Sequence, residues 1–62
     1  MAQQTKNAIR RAFIQLLNER PLDKISIKDI AEKGAVNRNT FYYCYADIYA
    51  LVEDILQLEI QD

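Results

Sequence analysis

Between positions 37 and 43 the chain reads Asn-Arg-Asn-Thr-Phe-Tyr-Tyr, a run in which nearly every side chain can make a directed polar contact. An Arg guanidinium bonds a guanine edge in bidentate fashion, an Asn amide bonds an adenine edge, and a Thr methyl meets a thymine methyl. Those chemistries fall to Arg38, Asn39 and Thr40. Tyr hydroxyls bond phosphate oxygens and fix register on a duplex, which suits Tyr42 and Tyr43. Upstream, Ser26 and Lys28 supply a hydroxyl and a cation beside the free N–H groups of a helix start, a pairing suited to flanking phosphates. Each residue also has a plainer role: Asn37 and Ser26 as helix caps, Tyr42 and Tyr43 as half-buried packing, Arg38 as a solvated charge, Cys44 as a small apolar filler. The clustering, more than any single member, points to a nucleic-acid groove.

Other chemistries find little to work with. The chain has no His, one Ser and one Cys, so neither a Ser-His-Asp triad nor a His-based metal site can be assembled. The carboxylates stand at helix-surface spacing beside basic residues, where solvated charge accounts for them. No enzyme activity, metal or cofactor is expected. No apolar stretch approaches the roughly 20 residues of a membrane span, and the N-terminus lacks the apolar core of a signal peptide. A lone cysteine agrees with a reducing cytoplasm.

Net charge is −1, from eight basic and nine acidic residues, whereas nucleic-acid-binding domains are often strongly basic. The distribution carries more than the sum. All eight bases lie within positions 1–38 with four acids, 8 − 4 = +4, while positions 39–62 hold five acids and no base, −5. One end of the chain suits phosphates and the other repels them.

Four helices are expected to position these groups. In the first, from about Thr5 as N-cap to Glu19, Ile9, Ala12, Phe13, Leu16 and Leu17 recur at helical spacing and form one buried face. Pro21 prevents continuation, and Leu22 with Ile25 folds back as a lid over the core. Ser26 opens a second helix, with Asp29 three residues on in a capping-box arrangement. Gly34 ends it by taking the left-handed conformation, and small Ala31 lets the next helix approach. Asn37 caps that third, short helix, anchored inward by Val36 and Phe41. Two helices so tightly joined cross steeply, as in a helix-turn-helix. Asp47 caps a fourth helix reaching about Gln61, whose apolar positions (Ile48, Leu51, Val52, Ile55, Leu56, Leu58) wrap more than one face and call for a further packing surface. The expected fold is therefore all-α: a three-helix helix-turn-helix domain over 1–46 and the start of a connecting helix over 47–62.

The run Ile30-Ala31-Glu32-Lys33-Gly34-Ala35-Val36-Asn37-Arg38-Asn39-Thr40-Phe41-Tyr42-Tyr43, followed by Tyr45, resembles the signature of TetR-type transcriptional regulators. The likeness extends through Ile9, Ala12, Leu16 and Leu17 upstream and Asp47, Ala50 and Leu51 downstream. The continuation Tyr-Ala-Asp-Ile-Tyr-Ala-Leu-Val is similar to versions from Gram-positive bacteria. The resemblance implies the DNA-binding head of a cytoplasmic repressor that acts on a near-palindromic operator as a homodimer. A separate helical domain, expected to be missing from this chain, would supply dimerisation and a small-molecule inducer pocket. By position, Arg38, Asn39 and Thr40 match base readers, Tyr42 and Tyr43 phosphate contacts, and Ser26 and Lys28 residues that meet backbone or bases.

Three positions depart from the family pattern. Gly34-Ala35 reverses its usual Ala-Gly order, Cys44 replaces a common His, and Ile48 replaces a common Lys. The last two changes remove expected phosphate contacts. Two other functions fit the residues. One is a protein-interaction module docking through helix four, with the tyrosines as its hot spot; the other is an RNA-binding helical domain that stacks bases on the same tyrosines.

Overall fold

The computed structural model describes residues 2–60, with side chains over 4–57. Four helices follow one another: α1 (Ala2–Glu19), α2 (Ile27–Lys33), α3 (Arg38–Cys44) and α4 (Ile48–Ile60), with a 3₁₀ turn at Leu22–Lys24 between the first two. No strand occurs among the described residues, and none of their helices is long and apolar enough to cross a membrane. The expected end of α4 at Gln61 and the packing of Leu58 lie outside the described residues.

The α1 stripe is buried at Ile9, Ala12, Phe13 and Leu16, but Leu17 is 43% exposed. Eight residues beyond Ile9 it stands at the edge of the stripe, about 80° round from it. There it lines an apolar groove of about 220 Å³ with Ile14, Leu22 and Leu56 instead of entering the core. The helix also begins earlier than expected, placing Thr5 inside it rather than at its cap; Ala and Gln in the preceding positions are good helix formers. At the other end Pro21 is extended and starts the 3₁₀ turn, in which the Lys24 N–H donates to the Pro21 carbonyl at 2.9 Å. Of the expected lid only Ile25 is buried; Leu22 stays exposed.

The cap of α2 forms as its sequence requires. Ser26 Oγ accepts from the Asp29 N–H at 3.1 Å and Asp29 Oδ2 accepts from the Ser26 N–H at 3.0 Å. The other end corrects an expectation. Gly34 is right-handed (φ −85°), and the left-handed residue is Ala35 (φ 59°). The Val36 N–H reaches the Ala31 carbonyl at 2.9 Å and the Ala35 N–H reaches Glu32 at 3.2 Å, which is the Schellman closure with Ala35 in the position usually held by glycine.

Gly34 has a different reason to be glycine. A Cβ there would lie 3.3 Å from the carbonyl oxygens of Ala8 and Ile30, so its absence lets the end of α2 rest on α1. Left-handed backbone costs an L-residue about 1–2 kcal/mol, against the 0.5–1 kcal/mol by which glycine's extra freedom favours unfolding. Ala35→Gly is therefore expected to stabilise the domain by roughly 0.5–1 kcal/mol, raising the melting midpoint by several degrees. A thermal melt with an unchanged or lower midpoint would show that Ala35 is not strained.

Val36, Phe41 and Leu51 complete the interior, with Phe41 and Leu51 fully buried and Val36 packed against the cluster. Asp47 Oδ1 accepts from the Ala50 N–H at 2.8 Å, capping α4 as expected. Through Leu51 this helix shares the core of the other three.

Candidate nucleic-acid interface

The third helix owes its position to its two ends. At the start Asn37, extended at φ −90°, ψ 167°, is the N-cap. Its Oδ1 accepts from the Thr40 N–H at 2.8 Å and from the Thr40 hydroxyl at 2.9 Å. Near the other end Phe41 packs edge-on against Tyr42, with centroids 5.8 Å apart, and tilted against Tyr45 at 5.9 Å. At 100° per residue, Arg38, Tyr42, Asn39 and Tyr43 then occupy one arc of about 140°, which begins about 60° from Phe41 at Arg38 and reaches the face roughly opposite it at Asn39 and Tyr43. Exposure follows this geometry: Arg38 and Asn39 are exposed, Tyr42 is 50% exposed and Tyr43 87%.

Thr40 sits on the flank of the arc and is half-buried. Its hydroxyl proton is committed to Asn37, leaving its methyl and acceptor lone pairs for any ligand. Ser26 and Lys28 are also exposed, but they stand at the first turn of α2. No side-chain hydrogen bond among the described residues joins them to α3.

Ion pairing separates the cations. Arg20 pairs with Asp29 at 3.3 Å, Lys33 with Glu19 at 3.1 Å and Arg10 with Asp54 at 2.9 Å, whereas Lys28 and Arg38, like Lys6, Arg11 and Lys24, close no ion pair among the described residues, and Lys28 acts on Asp29 only through its longer-range charge. Asp29 is held below the usual carboxylate range, first by the Ser26 backbone N–H and then by the Ser26 side chain. This carboxylate is thus occupied in capping α2.

One cluster was not foreseen from the sequence. Tyr45, the C-cap of α3, is 5% exposed and donates its hydroxyl proton to Asp54 Oδ2 at 2.5 Å. Arg10 Nη1 donates to that carboxylate at 2.9 Å and to the Tyr45 hydroxyl oxygen at 3.3 Å, and Arg10 Nη2 donates to Asn7 Oδ1. The Lys6 ammonium lies 5.5 Å from the Tyr45 ring centre. This clasp ties the foot of α3 to α1 and α4. Burial and then the Asp54 contact push the Tyr45 phenol up to about 12; the Tyr45 hydrogen bond, followed by Arg10, holds Asp54 below its ordinary value. Tyr45 falls within the motif run, but nothing in its spacing identifies Arg10 and Asp54 as its partners. Tyr49, also not singled out, stands 76% exposed in the first turn of α4.

A short, outward polar arc on the second helix of a pair joined by a tight turn is the layout of a helix-turn-helix reader. The profile of "Bacterial regulatory proteins, tetR family" matches residues 9–55, spanning α1 through most of α4. The chain belongs to the TetR family. It is an N-terminal DNA-binding domain of that family, a regulatory rather than a catalytic module. It is also similar to the "Uncharacterized HTH-type transcriptional regulator YxbF" of Bacillus subtilis (strain 168), 32% identical over 57 residues. That alignment takes in 92% of this chain and 15% of the relative, so the chain spans a small part of the relative's length. No solved structure gives a significant match.

Proposed function

We propose that this TetR-family domain is the operator-reading head of a transcriptional repressor, with α3 as the reading helix. The observation that carries the proposal is the outward arc of Arg38, Asn39, Tyr42 and Tyr43 on a helix seated on the core through fully buried Phe41. Arg38 and Asn39 read base edges, Thr40 adds its methyl, Tyr42 and Tyr43 hold phosphates, and Ser26 and Lys28 meet the flanking backbone. Asn37 also belongs to this surface, beyond its role as a cap. In this reading the head ends at residue 46, and α4 is the connecting helix.

In the intact protein two copies would face half-sites about one DNA turn apart, and an inducer would bind a domain outside these residues, in the cytoplasm. Exposed Ile14, Leu17, Leu22 and Leu56 around the α1–α4 groove support a further packing surface for such a domain. They also give the rival reading, a protein-docking module, its specific foothold.

Titration of labelled duplex against the chain at several salt concentrations separates the readings. Affinity is expected to fall steeply with salt, because phosphate contacts release counterions. The chain alone should bind weakly because linkage of two half-sites is lost, and absence of any duplex binding at low salt by a dimerised form would end the DNA reading. Arg38→Ala is expected to cost about 1–3 kcal/mol and to relax preference at one base pair. Tyr42→Phe should weaken binding to all sequences alike. Unchanged preference in Arg38→Ala across randomised duplexes would remove Arg38 from the readers.

A further inference from the structure

Asn37 and Asn39 are the same residue type on one surface, yet the structure leaves them different chemistry. An amide oxygen has two lone pairs and its nitrogen two N–H donors. In Asn37 both lone pairs are occupied, by the Thr40 N–H at 2.8 Å and by the Thr40 hydroxyl at 2.9 Å. The cap also fixes which way the amide faces, because only the oxygen can accept from an N–H. For Asn39 no side-chain hydrogen bond exists among the described residues, so its donors and acceptor are both free.

We infer that Asn37 meets DNA as a donor-only group: its Nδ2 protons address a pair of acceptor atoms, and it is barred from the bidentate adenine contact. Adenine recognition by an amide needs one donor toward N7 and one acceptor toward the N6 amino group, and Asn37 has no acceptor to give. Two adjacent acceptors occur on the O6/N7 edge of guanine and on a phosphate group. The ligand atoms meet the side-chain amide itself and not the N–H groups of the short helix behind it. Asn39 remains the amide able to read adenine. The assignment rests on the proposal that α3 reads duplex DNA and adds to it the base class that Asn37 can accept.

The test uses the 62-residue chain and duplexes enriched from a randomised pool by the wild type. Asn37→Ser and Asn37→Asp both retain an N-cap acceptor. Ser leaves one O–H in place of the two amide protons, and Asp leaves no donor but adds a negative charge. The outcomes are therefore read on Asn37→Ser, and the thermal midpoints establish that α3 is still held. Each is expected to bind the enriched duplex roughly tenfold more weakly. Repeating the titration with 7-deazaguanine at each guanine in turn distinguishes the two acceptor sources. If guanine is the acceptor, one substitution weakens the wild type but not Asn37→Ser; if phosphate is, every substitution affects both proteins equally.

Wild-type affinity for Asn37→Ser, with its midpoint preserved, would overturn the inference while leaving the DNA reading intact. So would loss of wild-type binding on deleting one adenine N6 amino group, if Asn37→Ser were indifferent to that deletion. Failure of the wild type, in dimerised form as well, to enrich or bind any duplex would overturn both.

Discussion

Phe41→Ala is expected to leave the domain largely unfolded at 25 °C. The ring is fully buried, and Tyr42 and Tyr45 both pack on it. Truncating a buried Phe to Ala costs about 3–5 kcal/mol through lost transfer energy and the cavity left behind, and each aromatic pair adds about 0.5–1.5 kcal/mol beyond buried area. At about 0.05–0.15 kcal/mol per residue, a domain of this length has a total stability of roughly 3–9 kcal/mol. The substitution therefore removes most of it. Far-UV circular dichroism and urea unfolding provide the check; a midpoint close to wild type would mean that α3 does not depend on this ring. Phe41→Leu, which keeps much of the volume, should remain folded at reduced stability.

The second large effect concerns the clasp. Asp54→Ala leaves the Arg10 guanidinium, 15% exposed, without its carboxylate and the buried Tyr45 hydroxyl without an acceptor. Hydrogen bonds to charged groups contribute about 1.5–3 kcal/mol. Asp54 is itself 30% exposed, so water screens part of the pairing and a cost of about 2 kcal/mol is expected.

The pH dependence is specific. Asp54 titrates below its ordinary value of 3.8 when folded, so its contribution is complete above that value and disappears as pH falls through the depressed folded one. Tyr45 is raised from 10.0 to about 12; its contribution is complete below pH 10 and is lost as pH rises toward 12. Urea midpoints of wild type and Asp54→Ala should therefore differ by a constant amount through the neutral range and converge in acid. A gap that persists unchanged in strong acid would show that the carboxylate charge is not what holds the clasp.

What the sequence makes legible here is local. Ser26 with Asp29, Asn37 with Thr40 and Asp47 with Ala50 each need only a three-residue spacing, and all three caps form where that spacing places them. Buried Ile9, Phe13, Phe41 and Leu51 follow from helical periodicity. Leu17 escapes it because an apolar residue at the rim of a stripe is buried only if something lies over it, and Leu22 stays exposed in a 3₁₀ turn that no helical period governs. The turn departs from expectation for a physical reason: a glycine next to a helix end suggests a left-handed residue, but here the close approach of α1 claims the glycine and Ala35 takes the strain. Arg10 is 35 residues from Tyr45 and 44 from Asp54, and no periodicity relates positions so far apart. The candidate readers were legible as residue types. Their division into an arc, a flanking Thr40 and an amide with a saturated oxygen required coordinates.

The brevity of α3 has one more consequence. Seven residues are too few to sustain a helix alone in water, so this helix exists only while the core behind it does. If α3 reads DNA, specific duplex is then a ligand of the native chain alone, and each occupied site draws the folding equilibrium toward the native side. At a hundredfold excess over the dissociation constant that pull is about 2.7 kcal/mol, comparable to the intrinsic stability of a domain this small. Proteases act on the transiently opened population, so molecules seated on their operators would outlast those adrift, and turnover of the regulator would follow how many of its sites are filled.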